Sequence, residues 1–182
     1  MKPYPVIASI TEEGQIAQAM ASKVRRLNLM TGNINNLQQI VSALRQAGKQ
    51  VYVHVEMVGG IGRDAAAIEY LAETVKADGI ITTKSQAIAT ARQHGLRSTQ
   101  RLFAIDTSAF ETALRMIASS RPDEVELMPG LMPRIIREMR ARIRQPLIVG
   151  GLIRHPEELR EALASGADYV SVGNAALWHA HN

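Results

Sequence analysis

Short apolar runs alternate with amphipathic stretches from one end of the chain to the other. The runs read PVIASI (5–10), VRRLNLM (24–30), VYVHVEM (51–57), GIITT (79–83), QRLFAID (100–106), EVELM (124–128), PLIVG (146–150) and YVSVG (169–173). They are rich in Val and Ile and are bounded by Gly, Pro and Asp, the signature of buried strands. Between them lie helical patterns. In NINNLQQIVSALRQAG (33–48), Ile34, Leu37, Ile40, Val41 and Leu44 recur at helical spacing. Asn33 suits the start of that helix as its cap, and Gly48 lies just past its end. SRPDEV and LASGADYV punctuate two later passages from helix to strand.

Eight strand–helix units in strict alternation predict a parallel α/β protein, and their number matches a closed (β/α)8 TIM-type barrel occupying residues 1–182 as one compact domain. At 182 residues the chain is short for that fold, so its helices and loops must be brief. An open doubly wound sheet is the alternative arrangement.

Composition narrows the class. With 46% hydrophobic and 21% charged residues the chain is expected to be soluble and globular. No run approaches the roughly 20 apolar residues of a membrane span, and MKPYPVIASITEEG lacks the apolar core and cleavage site of a signal peptide. The expectation is a cytoplasmic protein without membrane attachment. The absence of cysteine excludes disulfides and thiolate metal sites, and histidines at 54, 94, 155, 179 and 181 show no metal-ligand spacing. Neither a metal nor an organic cofactor is predicted. The net charge of +4, with sixteen arginines against five lysines, permits an anionic partner.

In a barrel the site is built where strands run into the following loops. Those ends carry Glu56, Lys84, Asp106 and Glu126, the last followed by Pro129 and Gly130. After the seventh run, Gly150 and Gly151 remove Cβ atoms that would hold an anion away from backbone N–H groups, and Pro156, Glu157 and Glu158 start a helix. After the eighth, Gly173 and Asn174 precede a short final helix whose free N–H groups favour negative charge. These two loops form the recurrent phosphate site of barrels. The competing explanation is that both glycine pairs only permit tight turns.

Glu56 and Glu126 suit hydroxyl groups as acceptors, or else pair with Lys84 or Arg101 inside the barrel. Lys84 suits phosphate or carboxylate pairing; a Schiff base would require its desolvation. His54 shares strand parity with Glu56 and reads first as a hydrogen-bonded core residue. Trp178 and the eight methionines read as packing.

The segments VYVHVEMVGGIGRD, KADGIITTKS, QRLFAIDTSAFETAL, PDEVELMPGLMPRII and PLIVGGLIRHPEELREALASGADYVSVGNAALW resemble, in order, the bacterial glycerol-3-phosphate-responsive antiterminator family. The likeness runs from PVIASI to Trp178. It implies a non-catalytic regulator on a barrel fold that binds glycerol 3-phosphate, associates with leader mRNA and lets transcription of glycerol genes pass a terminator. Carried onto matching positions, it supplies Gly150, Gly151, Gly173 and Asn174 for the phosphate and Lys84, Glu126 and Gly130 for ligand orientation, a set that Glu56 and Asp106 join by their places at the strand ends. Two positions depart from the family pattern: Glu56, where aspartate is frequent, and Val172-Gly173, where a Thr-Ser or Ser-Ser pair is frequent.

The sixth helical pattern, LMPRIIREMRARIRQ, places Ile135, Ile136, Met139 and Ile143 on an inward stripe. Arg134, Arg137, Arg140 and Arg144 fall on the opposite face with Arg142 at its edge, a candidate RNA contact or a solvated face with ion pairs. With only seven aromatic residues in the chain, a base-stacking platform is not expected. The alternative function is a barrel enzyme, an isomerase or lyase of a small phosphosugar with Lys84 and a carboxylate as acid–base partners. The sequence is compatible with a homo-oligomer.

Overall fold

The computed structural model describes residues 5–179. Eight strands alternate with helices: β1 (Val6–Ile10), β2 (Arg26–Leu29), β3 (Gln50–His54), β4 (Gly79–Thr82), β5 (Arg97–Phe103), β6 (Glu124–Met128), β7 (Leu147–Gly150) and β8 (Tyr169–Val172). All pair in parallel in chain order, and β8 returns to β1 through Val6↔Val170 and Ala8↔Val172, so the sheet is closed rather than open. The helices are α1 (Ile16–Ala21), α2 (Leu37–Gln46), α3 (Ala65–Glu73), α4 (Ser85–Gln93), α5 (Thr107–Ser120), α6 (Pro133–Arg142) and α7 (Pro156–Ala164), with 3-10 turns at Glu13–Gln15 and Ala175–His179.

Strand alternation separates two environments. Val6, Ala8 and Ile10 of β1, Leu27 and Leu29 of β2, Val51 and Val53 of β3 join one apolar cluster with side chains of the surrounding helices, including Leu37, Val41 and Leu44 of α2. This layer between barrel and helices is the main core, each fully buried Leu or Val contributing about 1.5–3 kcal/mol. The alternate positions point inward. There the barrel carries Arg26, Asn28, His54, Arg101, Glu124 and Glu126, all buried, where branched aliphatic residues are the usual filling.

Several boundaries differ from the sequence reading. β5 begins at Arg97 and ends at Phe103, so Asp106 lies beyond it as the N-cap of α5, accepting the Ala109 N–H at 2.7 Å. β3 ends at His54, which leaves Glu56 in the following turn. α2 begins at Leu37, not next to Asn33, because Asn33 and Asn36 close their own turn: the Asn36 side chain accepts the Asn33 N–H at 2.8 Å. Ile34 consequently lies outside the helix and is exposed. α6 stops at Arg142, and Arg144 is past its end. The short final helix is a 3-10 turn.

Candidate functional site

The barrel interior holds two polar layers. Toward the strand starts, the Arg26 guanidinium of β2 crosses to Glu124 of β6, donates to Thr99 Oγ1 of β5 at 3.0 Å and lies 3.8 Å over the Tyr52 ring. Toward the strand ends, Arg101 Nε donates to Glu126 Oε2 at 2.7 Å, while Ser171 Oγ of β8 donates to Glu126 Oε1 at 2.7 Å. Glu126 is completely buried, and both its oxygens are engaged. Of the two roles the sequence allowed it, ion pairing with Arg101 is the one its geometry presents.

Next to this layer stand two groups without hydrogen-bond partners among the described residues. The Asn28 amide is fully buried, and neither its oxygen nor its nitrogen has a hydrogen bond. His54 is buried with neither ring nitrogen hydrogen-bonded; its Nδ1 lies 3.4 Å from Glu56 Oε2 without hydrogen-bond alignment. Burial, reinforced by the Arg101 charge, lowers the His54 pKa to about 4 against the pull of Glu56 and Glu126. At neutral pH the imidazole is therefore uncharged and offers one donor and one acceptor. Leaving such groups unmade costs about 1–3 kcal/mol each, so a polar molecule from outside the chain, ordered water or ligand, is needed to meet them.

Glu56 is held by β4: Thr82 Oγ1 and, at 3.3 Å, the Thr83 N–H donate to its two oxygens. Neither Lys84 nor Arg101 pairs with it. Lys84 caps α4 with its side chain exposed and free of any ion pair among the described residues. Asp106 is exposed and occupied by its capping bond, so it does not join the interior group.

The glycines of the seventh and eighth strand ends have separate reasons. A Cβ on Gly150 would lie 2.1 Å from Ser171 Oγ, so this residue is bare to let Ser171 reach Glu126. Gly151 has φ +79°, and its carbonyl accepts the Gly130 N–H at 3.2 Å, fastening the β6 and β7 loops together. The N–H groups of Gly151, Leu152, Gly173 and Asn174 donate to no other described residue. By contrast, the start of α7 is filled from within, since Glu158 accepts the N–H groups of Arg154 at 2.7 Å and His155 at 3.0 Å, which hold its carboxyl below its usual pKa. The Glu158 carboxylate thus stands at the start of α7 and its charge opposes an anion there.

Sequence reasoning passed over Ser9, Asn28, Ser171 and Arg26, and met Arg101 only as a partner. A signal was present: Ala8-Ser9-Ile10, Leu27-Asn28-Leu29, Val53-His54-Val55, Val125-Glu126-Leu127 and Val170-Ser171-Val172 each set one polar residue between aliphatic ones. That pattern marks a buried strand with a polar inward position.

The arginines of α6 are largely engaged. Arg134 pairs with Glu138 at 2.6 Å, Arg140 with Asp168 at 2.9 Å and Arg142 with Glu111 at 3.7 Å, while Arg137 donates to Ser165 at 3.3 Å. Among the described residues no group of His, Asp and Glu could hold a metal ion, and no helix is long and apolar enough to cross a membrane. His181 lies outside the described residues.

Fold and interior together define a short (β/α)8 barrel with a polar lumen. The chain belongs to the glycerol-3-phosphate responsive antiterminator family, whose profile matches residues 6–178. It is similar to the glycerol uptake operon antiterminator regulatory protein of Listeria monocytogenes, with 32% identity, 97% of this chain and 95% of that one covered, and a TM-score of 0.93. A glycerol uptake operon antiterminator-related protein of Thermotoga maritima gives 29% identity, coverage of 98% and 99%, and a TM-score of 0.85. Over 178 residues the chain is 33% identical to the uncharacterized protein YgcP of Escherichia coli K12, covering 98% of this chain and 93% of that relative. Family and relatives place the chain among regulators. Aldolases at 11–13% identity share the fold alone.

Proposed function

We propose that this regulator binds glycerol 3-phosphate at the C-terminal mouth of the barrel and acts on transcription through leader mRNA, without catalysing a reaction. The observation that carries the ligand site is the pair of buried, unpartnered side chains Asn28 and His54 beside the Arg101–Glu126–Ser171 group. A neutral imidazole and an amide supply both donors and acceptors, which is what two glycerol hydroxyls require. The phosphate is assigned to the free N–H groups of Gly151, Leu152, Gly173 and Asn174, with Lys84 as a cation on the same rim that has no ion pair among the described residues. Gly150 and Gly130 act by packing, and Glu56 by holding the β3 loop against β4. The family description supplies the identity of the ligand and the antitermination role.

The exposed Lys84 weighs against the isomerase or lyase reading, because a lysine nucleophile at neutral pH needs desolvation or a cationic neighbour. Turnover of triose or pentose phosphates that disappears in Lys84→Ala would replace the sensor by an enzyme.

The ligand assignment is tested by thermal shift with sn-glycerol 3-phosphate, glycerol and inorganic phosphate. The phosphate ester is expected to raise Tm by several degrees at about 100 times its Kd, glycerol not at all. An unchanged Tm at millimolar ester removes the assignment. The RNA step is tested by gel retardation of a labelled transcript of the leader upstream of glycerol-uptake genes. For the ligand to signal, RNA affinity must differ between free and ligand-bound protein, since only differential affinity shifts an equilibrium.

A further inference from the structure

We propose that the RNA-docking surface of this protein is the N-terminal end of the barrel, opposite the ligand mouth, and not the outer face of α6. The inference rests on the RNA reading above and names its surface.

Charge is divided unevenly between the two ends. The seven segments that run from a helix end through the first residue of the next strand hold eight Lys and Arg against four Asp and Glu. The eight segments that leave the strand ends hold three against five. A chain of modest net charge thus carries a distinctly positive face, which is the electrostatic footprint of a nucleic-acid partner.

That face also has shape. Its centre is an open recess of about 880 Å³ lined by Arg25, Arg26, Gln50, Tyr52, Arg97 and Tyr169. The two carboxylates of the recess are already committed, Asp78 to Arg45 at 3.4 Å and to the Val51 N–H, and Glu124 to Arg26. The arginines are only partly so. Arg25 is exposed with no ion pair among the described residues, Arg97 is exposed with one loose ion pair to Glu124 at 3.8 Å, and the buried Arg26, though paired with Glu124, has no acceptor for its Nε. Arg121 and Arg144, also exposed and without ion pairs among the described residues, extend the same rim. On α6, by comparison, all four arginines have a partner, Arg142 as loosely as Arg97. Free guanidinium groups around a recess fit the phosphodiester backbone of an RNA strand, and low-dielectric walls concentrate their field.

Two charge-matched variants separate the surfaces: Arg25→Glu with Arg97→Glu at the N-terminal rim, and Arg134→Glu with Arg137→Glu on α6. Affinity for the labelled leader transcript is measured between 50 and 300 mM KCl, with circular dichroism and the glycerol 3-phosphate thermal shift confirming an intact fold and ligand mouth. The rim variant is expected to lose about tenfold or more in affinity and to reduce the slope of log Kd against log salt by about two, while the α6 variant stays near wild type. Loss confined to the α6 variant overturns the surface and leaves the RNA reading standing. A wild-type protein that does not retain the transcript overturns both. Binding to phosphatidylserine vesicles with no retention of RNA would assign the face to an anionic membrane and overturn the proposal as well.

Discussion

The two mouths of the barrel are made by the same eight strands, yet they differ in nearly everything their connections carry. The C-terminal rim is apolar: Ile34, Met57, Phe103, Ile105, Leu131 and Leu152, six of the large hydrophobic side chains left exposed, all sit there. Beneath it lie polar groups without partners, Asn28 and His54. The N-terminal rim is basic, and beneath it Arg26, Thr99, Glu124 and Tyr52 form a group in which one nitrogen alone is unmade. On the proposals above, one end encloses a small polar molecule and the other meets an extended anion. Glu124 and Glu126 stand two residues apart on β6 and anchor the two layers, so a change in one layer acts on the same strand as the other.

The largest expected effect follows from breaking the C-terminal layer. Glu126→Ala leaves the buried Arg101 side chain with Met30 Sδ as its remaining hydrogen-bond contact among the described residues and should lower stability by about 3–5 kcal/mol in urea unfolding. Glu124→Ala should cost less, because Arg26 keeps the Thr99 hydroxyl and the Tyr52 ring and faces the open recess. Equal losses would remove the asymmetry claimed for the two layers.

Acid should act at the C-terminal layer next. The unfolded His54 protonates near pH 6.5 but the folded one only near 4, so between these values the unfolded state binds more protons and stability falls as pH falls. The loss is complete below pH 4 and amounts to about 3 kcal/mol at most. His54→Gln should flatten the stability profile in that window; an unaltered profile would place the acid sensitivity elsewhere.

Gly150→Ala should cost about 1–3 kcal/mol by forcing Ser171 away from Glu126. A crystal structure with the Ser171–Glu126 hydrogen bond intact would contradict this account of the glycine.

Asn28→Leu is the finest probe. Removing an unpaired amide should leave stability within about 1 kcal/mol of wild type or raise it. The same substitution should abolish the glycerol 3-phosphate thermal shift. A large destabilisation would show instead that Asn28 supports the apo structure.

The strand count, the parallel alternation and the closed barrel were legible along the chain, because each buried parallel strand writes itself as a short aliphatic run. The polar lumen was also written, as a lone polar residue inside each of five strands, though its meaning depends on which face points inward. Glu56, Lys84, Asp106 and Glu126 looked alike on the chain, as polar groups near strand ends. The fold separated them into a loop latch, an exposed cation, a helix cap and a buried ion-pair partner. Periodicity reports which side of a strand a residue occupies, and composition reports how much charge there is. Which charges find partners is settled only when distant segments meet, as Arg26 and Glu124 do across 98 residues and as Arg25 does with none of the described residues.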